Sequence, residues 1–356
     1  MRRTAFEGRI WYTQIMDESG TIDRSLAPKD LGDQKIIEMY KLMSATRALD
    51  EKTLSLQRQG RAVTYAPLIG EEATQIGSAL AMRDRDLFVP NFRQHGVFLA
   101  RGMPLGTHFL YWRGFEEGSI IPKEVGGFPV IVPVATQMPH AAGIAFAQKY
   151  KRTGSAVVAY VGDGGTSEGD FYESINMAGV FKLPLVVIIE NNQWAISVPR
   201  SAQSAAETLA QKGIAGGVRS LQVDGNDVIA VYDAVKRAIE DSANGPTLIE
   251  CVTYRMSMHT TADDPTKYRN DEDVEAWRAK DPIGRVRKYL TGRSLWSDEM
   301  EAAMREEHKK KIDAGVEKAE QFKPDPKSIF EHVYSYIPDV LKEEMDEAVA
   351  SGFYTK

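Results

Sequence analysis

Two runs of apolar residues limit the possible folds of this chain more than any other feature: Ala156-Val157-Val158-Ala159-Tyr160-Val161 and Pro184-Leu185-Val186-Val187-Ile188-Ile189. Neither alternates between apolar and polar positions, so each needs cover on both faces, like a central strand of a parallel sheet between helices. Each run stops at a polar motif. Gly162-Asp163-Gly164-Gly165 follows the first and Asn191-Asn192 follows the second. In open α/β sheets ligands sit beyond the carboxyl ends of the strands, so both motifs belong to the edge where function is carried.

The rest of the chain supplies what such a sheet needs. Residues 1–33, rich in turn formers, read as an N-terminal arm received by something outside the core. Helical spacing runs from Gln34 to about Arg58, where Gly60 ends it, and a small-residue helix spans Glu71 to Met82. Leu87–Val89 and Phe128–Val134 read as strands, and Gln137–Lys149 as an Ala-rich helix. The order then repeats: strand Ser220–Val223, helix Asp227–Ser242 and strand Leu248–Tyr254. This is a doubly wound, mainly parallel α/β domain over 34–269. Beyond 270 the chain becomes a helical extension, with helices expected near Glu275–Ala279, Ile283–Leu290 and Asp298–Phe322. Ser328–Ala350 carries more apolar residues than a free tail needs, so it is expected to meet another subunit.

Bulk properties exclude several classes. A net charge of −6 with no basic stripe argues against nucleic acid as a partner, and no apolar stretch is long enough for a membrane helix. One cysteine, Cys251, rules out an internal disulfide. With no secretory or transit pattern near Met1, the expected location is cytoplasmic.

The two polar motifs suit a magnesium ion and a diphosphate. Gly162 and Gly164 let the backbone approach a bulky anion, and Asp163 offers a hard carboxylate oxygen. Magnesium takes one or two protein groups, waters and phosphate oxygens, so Asp163, the Asn192 amide oxygen and a backbone carbonyl would suffice. Gly-Asp-Gly alone is a common turn; Asn191-Asn192 after a second apolar strand makes the pair specific. A dinucleotide-binding Gly-x-Gly-x-x-Gly is absent, because position 167 is serine.

The run Gly162-Asp163-Gly164-Gly165-Thr166-Ser167-Glu168-Gly169-Asp170-Phe171-Tyr172-Glu173 with Asn191-Asn192 resembles the α subunit of 2-oxo acid dehydrogenase E1 components. Arg58-Gln59-Gly60-Arg61, Gly70-Glu71-Glu72-Ala73, Phe92-Arg93, Ala135-Thr136-Gln137-Met138-Pro139, Gln193-Trp194-Ala195-Ile196-Ser197, and His259 followed by Asp263-Asp264 extend the likeness over nearly the whole chain. The resemblance implies a thiamine diphosphate-binding fold with Asp163, Asn192 and the Trp194 carbonyl on magnesium. Gly162, Gly164, Gly165, Glu168 and Arg93 would surround the diphosphate, Val132 and Val134 the aminopyrimidine, with Val134 as the wedge beneath the bent cofactor. Phe92 stands where many relatives have tyrosine, so any hydroxyl contact there is lost.

It also implies that His259 serves acyl transfer to lipoamide, ordered by Arg255, Asp263, Tyr268 and Arg269, and that Thr260 stands where mitochondrial relatives have a phosphorylated serine. Of the six histidines, His308 and His332 read as solvent-facing, His108 as structural, His140 as a helix start and His95 as a secondary site residue. His259 lies in a polar loop past a strand end. The aminopyrimidine-binding glutamate comes from a separate β subunit in this family, and one domain's worth of sheet fits half an active site in an α2β2 assembly serving an E2 lipoyl acyltransferase core. The substrate stays open between pyruvate and a branched-chain 2-oxo acid. Alternatives are an acetoin dehydrogenase α subunit and a non-catalytic scaffold of the same fold.

Overall fold

The computed structural model describes residues 1–352. Among the described residues there are eight strands: β1 (Tyr12–Thr13), β2 (Leu87–Val89), β3 (Val157–Gly162), β4 (Leu185–Asn191), β5 (Trp194–Ala195), β6 (Val198–Pro199), β7 (Arg219–Asp224) and β8 (Thr247–Val252). Six form one parallel sheet in the order β1-β7-β8-β4-β3-β2, and β5 and β6 pair as a separate antiparallel hairpin. The two apolar runs are its adjacent central strands. Val158, Tyr160, Val186 and Ile188 enter one hydrophobic cluster, while Val157, Ala159, Val161, Leu185, Val187 and Ile189 enter another. The period of two along a strand thus sends alternate side chains to opposite layers, both apolar.

Helices Gln137–Lys151 and Gly169–Phe181 contribute Ala141, Ala145, Phe171 and Ile175 to the second layer. Helices Asp33–Arg58, Glu72–Ala81 and Val228–Glu240 fill the first. From β2 through β3 to β4 the chain advances across the sheet one way, and from β7 to β8 it advances the other way. With right-handed crossovers, that reversal puts the connecting helices on opposite faces and opens a crevice beside the carboxyl end of β4. Gly162 pairs with Glu190 and Asn191 with Val252, so Asp163 and Asn192 emerge side by side past the last rungs.

Two expectations are modified. Phe128–Val134 is no strand: the contact with β2 is a single bridge from Phe88 to Gly127. Pro129 and Pro133 remove the amides a ladder would need. The N-terminal arm is received by the chain's own sheet, with β1 pairing to β7 and Met16 fully buried. The Ile15 and Met16 amides both donate to Asp227 Oδ2 at 2.6 Å, a tether 211–212 residues away that no local pattern announces. The turn after Asp163 is a short 3-10 segment, Gly164–Ser167, before the helix Gly169–Phe181.

The C-terminal extension has helices Asp271–Arg278, Pro282–Gly292 and Asp298–Glu320. The last lays Ile312, Val316 and Ala319 against Leu49, Leu56 and Phe109. Helix Asp339–Ser351 buries no residue; Val340 within it is 68% exposed and Tyr336, just before it, 71%. Among the described residues no helix is long and apolar enough to cross a membrane.

Candidate active site

A cavity of about 400 Å³ opens at the carboxyl edge of β3 and β4. Phe92, Arg93, Val132, Val134, Gly162, Asp163, Gly164, Gly165, Glu168, Asn192, Trp194 and His259 all line it, so five separate stretches of sequence converge there. A larger cleft, about 670 Å³, lies between helices Asp33–Arg58, Pro282–Gly292 and Asp298–Glu320. Its charges are largely paired with each other, as in Lys52–Asp313, Arg47–Asp281 and Arg305–Glu301. His308 lines that cleft, partly buried, where a solvent-facing position was expected.

The floor of the site fits a hard cation and a close-lying anion. Asp163 is 2% exposed, its Oδ2 has no hydrogen-bond partner, and burial pushes its carboxyl up to about 7. A buried carboxylate oxygen without a partner calls for a positive ligand. Asn192 is oriented from two sides: its Nδ2 donates to Glu71 Oε1 at 2.7 Å, and its Oδ1 accepts from the Trp194 amide at 3.2 Å. The Trp194 carbonyl accepts from Arg255 Nη1 at 3.2 Å. Among the described residues no three His, Cys, Asp or Glu side chains cluster as a metal site. One carboxylate, one amide and one carbonyl are the weaker donor set that magnesium shares with phosphate oxygens. A Cβ on Gly162 would meet nothing within 4 Å, whereas one on Gly164 would meet the Ala195 Cβ at 2.8 Å. Packing against β5 therefore requires glycine at 164. At 162 the chain leaves open space toward the cavity.

The backbone is strained around this floor. Ala135, Gln193 and Ile196 are non-glycine residues in the left-handed region, with φ of 65°, 73° and 55°. Each such position costs on the order of 1–3 kcal/mol, and a β-branched isoleucine is the least tolerant. Arg255 holds this conformation by donating to the Ile196 carbonyl at 2.7 Å.

The opposite wall is built around His259. Its amide donates to Asp263 Oδ2 at 2.8 Å, Tyr268 Oη donates to the same oxygen, and Arg255 Nη2 donates to Tyr268 Oη at 2.8 Å. Arg93 Nη2 lies 3.2 Å from His259 Nδ1 and 3.1 Å from its carbonyl, and Nη1 donates to the Pro67 carbonyl. Arginine has no acceptor, so Nδ1 must accept and the ring proton sits on Nε2. Burial first, then Arg93 and Arg255, lowers the imidazole's proton affinity to about 3. Phe92 meets the His259 ring edge to face at 5.8 Å. His95 is held at the Ala66 carbonyl and His108 at Thr53 Oγ1. Neither lines the cavity.

Likeness to known proteins extends over most of the chain. The sequence pattern described as "Dehydrogenase E1 component" matches residues 40–327. The chain belongs to this family. It is 42% identical over 345 residues to the pyruvate dehydrogenase E1 component subunit alpha of Staphylococcus aureus strain Mu50, covering 96% of this chain and 93% of that one. The corresponding Acholeplasma laidlawii subunit is 43% identical over 337 residues, 93% and 97% of the two chains. The Staphylococcus epidermidis subunit is 41% identical over 345 residues, 96% and 93%. The protein is thus a 2-oxo acid dehydrogenase E1 α chain, an oxidoreductase of a family that depends on thiamine diphosphate.

Some of what surrounds the E1 site was not singled out in the sequence. Glu71, 1% exposed, was noted only as part of Gly70-Glu71-Glu72-Ala73, yet it orients Asn192 and lies 3.8 Å from Arg93. Its own carboxyl is raised by burial. Glu190 is a buried acid in the cavity wall, capped by Gln94 and raised well above the usual range by burial. The available signal was a single charged residue ending an apolar strand, and a glutamate opening a small-residue helix.

Proposed function

We propose that this chain is the α half of a pyruvate-decarboxylating E1, assembled with a β chain as α2β2, with magnesium and thiamine diphosphate in the cavity beyond β3 and β4. The net reaction turns a 2-oxo acid and the lipoyl disulfide of an E2 core into carbon dioxide and an acyl-dihydrolipoyl group. Thiamine diphosphate, when bound, supplies the electron sink that lets the 2-oxo acid lose carbon dioxide.

This chain's own residues bind and orient. Asp163, Asn192 and the Trp194 carbonyl would hold magnesium. Gly162, Gly164 and Gly165 would admit the diphosphate, flanked by Glu168 and Arg93, and Val132 and Val134 would present an apolar face to the organic part of the cofactor. His259, neutral with its proton on Nε2, would donate a hydrogen bond to the incoming lipoyl sulfur. The unpartnered Asp163 Oδ2 beside the open face of Gly162 is the observation that carries this reading. Pyruvate is favoured as substrate by the names of the similar chains. The N1′ glutamate would come from the β chain, and the exposed apolar side chains of 328–351 suit a subunit contact.

Co-purification with the β partner, followed by assays on pyruvate and 3-methyl-2-oxobutanoate with a lipoyl domain as acceptor, tests the proposal. A higher kcat/KM for pyruvate is expected. Preference for the branched substrate would overturn the substrate reading, and full turnover by this chain alone would overturn the half-site reading.

A further inference from the structure

Lys212 is the one buried lysine among the described residues, at 8% exposure, and no carboxylate there pairs with it. Its Nζ donates to the Thr166 carbonyl at 2.9 Å and to Thr166 Oγ1 at 2.8 Å, with Ser167 Oγ at 3.5 Å and the Tyr172 ring centroid at 5.5 Å. Thr166, fully buried, passes the contact on. Its hydroxyl donates to the Asp163 carbonyl at 2.7 Å and its amide to the same oxygen at 3.1 Å. An ammonium group therefore grips, from behind, the turn whose front carries the Asp163 carboxylate, Gly164 and Gly165 toward the cavity.

An unpaired buried ammonium is a poor device for holding a turn. Desolvating it costs several kcal/mol, and an apolar residue of similar volume is often neutral or better for stability. Burial accordingly lowers this amine's proton affinity, and Arg200 lowers it further. The charge is useful when an anion lies on the other side of the turn. Arg93 does not fill this role alone, since its donors serve Pro67 and His259. Lys212 is absent from the cavity lining, so it acts through Thr166.

We infer that Lys212 is a positioning residue for the diphosphate, setting the Asp163-Gly164-Gly165 turn through Thr166 and placing a fixed positive charge beneath it. This rests on the reading of that turn as the magnesium–diphosphate cradle.

The test uses the assembled α2β2 complex freed of cofactor. Affinity for magnesium thiamine diphosphate is measured by calorimetry, and thermal stability is measured without cofactor, for wild type, Lys212→Met, Lys212→Arg, Thr166→Val, the Lys212→Met/Thr166→Val double variant and Asp163→Ala. Lys212→Met should lose about tenfold or more in affinity, the scale of one charge-assisted hydrogen bond, while its cofactor-free Tm stays level or rises. Lys212→Arg should recover most of the affinity, and the double variant should lose less than the sum of its parts.

Binding by Lys212→Met within about twofold of wild type would overturn the proposal, provided that Asp163→Ala has lost binding. So would parallel loss of affinity and cofactor-free Tm that arginine does not restore. If Asp163→Ala still binds normally, the cradle reading itself fails.

Discussion

His259 offers the sharpest quantitative test of the site. Its proton affinity falls from the ordinary 6.5 to about 3 through burial and the neighbouring Arg93 and Arg255. Taken at face value that difference is worth about 5 kcal/mol at 1.36 kcal/mol per tenfold change. The side chain is only partly buried, so solvent screening reduces that figure, but the direction of the shift still leaves the imidazole neutral at neutral pH. The sign follows directly. Below pH 6.5 the unfolded chain protonates this histidine while the folded chain does not, so the stability its neutral form provides is present above 6.5 and is lost as pH falls toward 3.

With Nδ1 facing Arg93, the ring proton is on Nε2, so the proposed role for the ring is that of a neutral donor. Glutamine places an amide N–H near the Nε2 position. His259→Gln should therefore keep lipoyl acylation within about tenfold of wild type, the worth of one neutral hydrogen bond, while His259→Ala loses about a hundredfold or more. Decarboxylation read with an artificial electron acceptor should fall less than acylation in both variants. Arg93→Met removes the largest neighbouring charge, so the imidazole's proton affinity should climb back toward 6.5 and an acid limb should enter the acylation profile below that pH. The assay is kcat/KM for reductive acylation of a lipoyl domain between pH 5 and 8, on the intact complex. A wild-type limb near pH 6.5 that disappears in His259→Ala, or a glutamine variant as inactive as alanine, would refute the neutral-donor argument and point to an imidazolium acid.

The remaining predictions concern the floor of the site. Asp163→Ala should abolish magnesium-dependent binding of thiamine diphosphate in the assembled complex; unchanged calorimetric affinity would remove Asp163 from the metal site. Gly162→Ala should leave cofactor-free stability within about 1 kcal/mol, since its Cβ meets nothing within 4 Å of the chain, yet lower cofactor affinity. A variant that is destabilised but binds normally would show that the open space is not used. Ile196→Gly should relieve about 1 kcal/mol or more of left-handed strain and raise the cofactor-free Tm. A lower Tm would mean that the isoleucine side chain's contacts outweigh the strain.

How much of this could be read from the sequence depends on the range of the physics involved. β3 and β4 were legible because a strand covered on both faces is apolar at every position, a local and unambiguous signature. The residues lining the cavity were legible for a different reason: their motifs sit at strand ends or match a family pattern, and the parallel register then brings Asp163 and Asn192 together. Phe128–Val134 misled because its valines carry the β composition while its two prolines, which decide the matter, remove donors that composition does not count. The arm's entry into the sheet depends on Asp227 accepting two amides from Ile15 and Met16, a long-range contact with no periodicity of its own.

Glu71, Glu190 and Lys212 were missed for a common physical reason. Each is an ionisable side chain in a buried position, and sequence alone assigns such residues to the surface because desolvation makes the core costly for them. Around the Asp163 turn that cost is distributed: Glu71 turns the Asn192 amide, Glu190 stands in the cavity wall, and Lys212 grips Thr166. Three unpaired carboxylate oxygens, on Glu71, Asp163 and Glu190, lie buried among them. Taken separately these are unfavourable burials. A divalent cation with a bound polyanion would satisfy those carboxylates and give the lysine a counter-charge, so the cofactor-free protein should be the strained state and ligand binding its release. Such a floor would stay unsatisfied until cation and anion arrive together, so magnesium-free thiamine diphosphate should be a much weaker ligand than the pair, which calorimetry with and without magnesium would check.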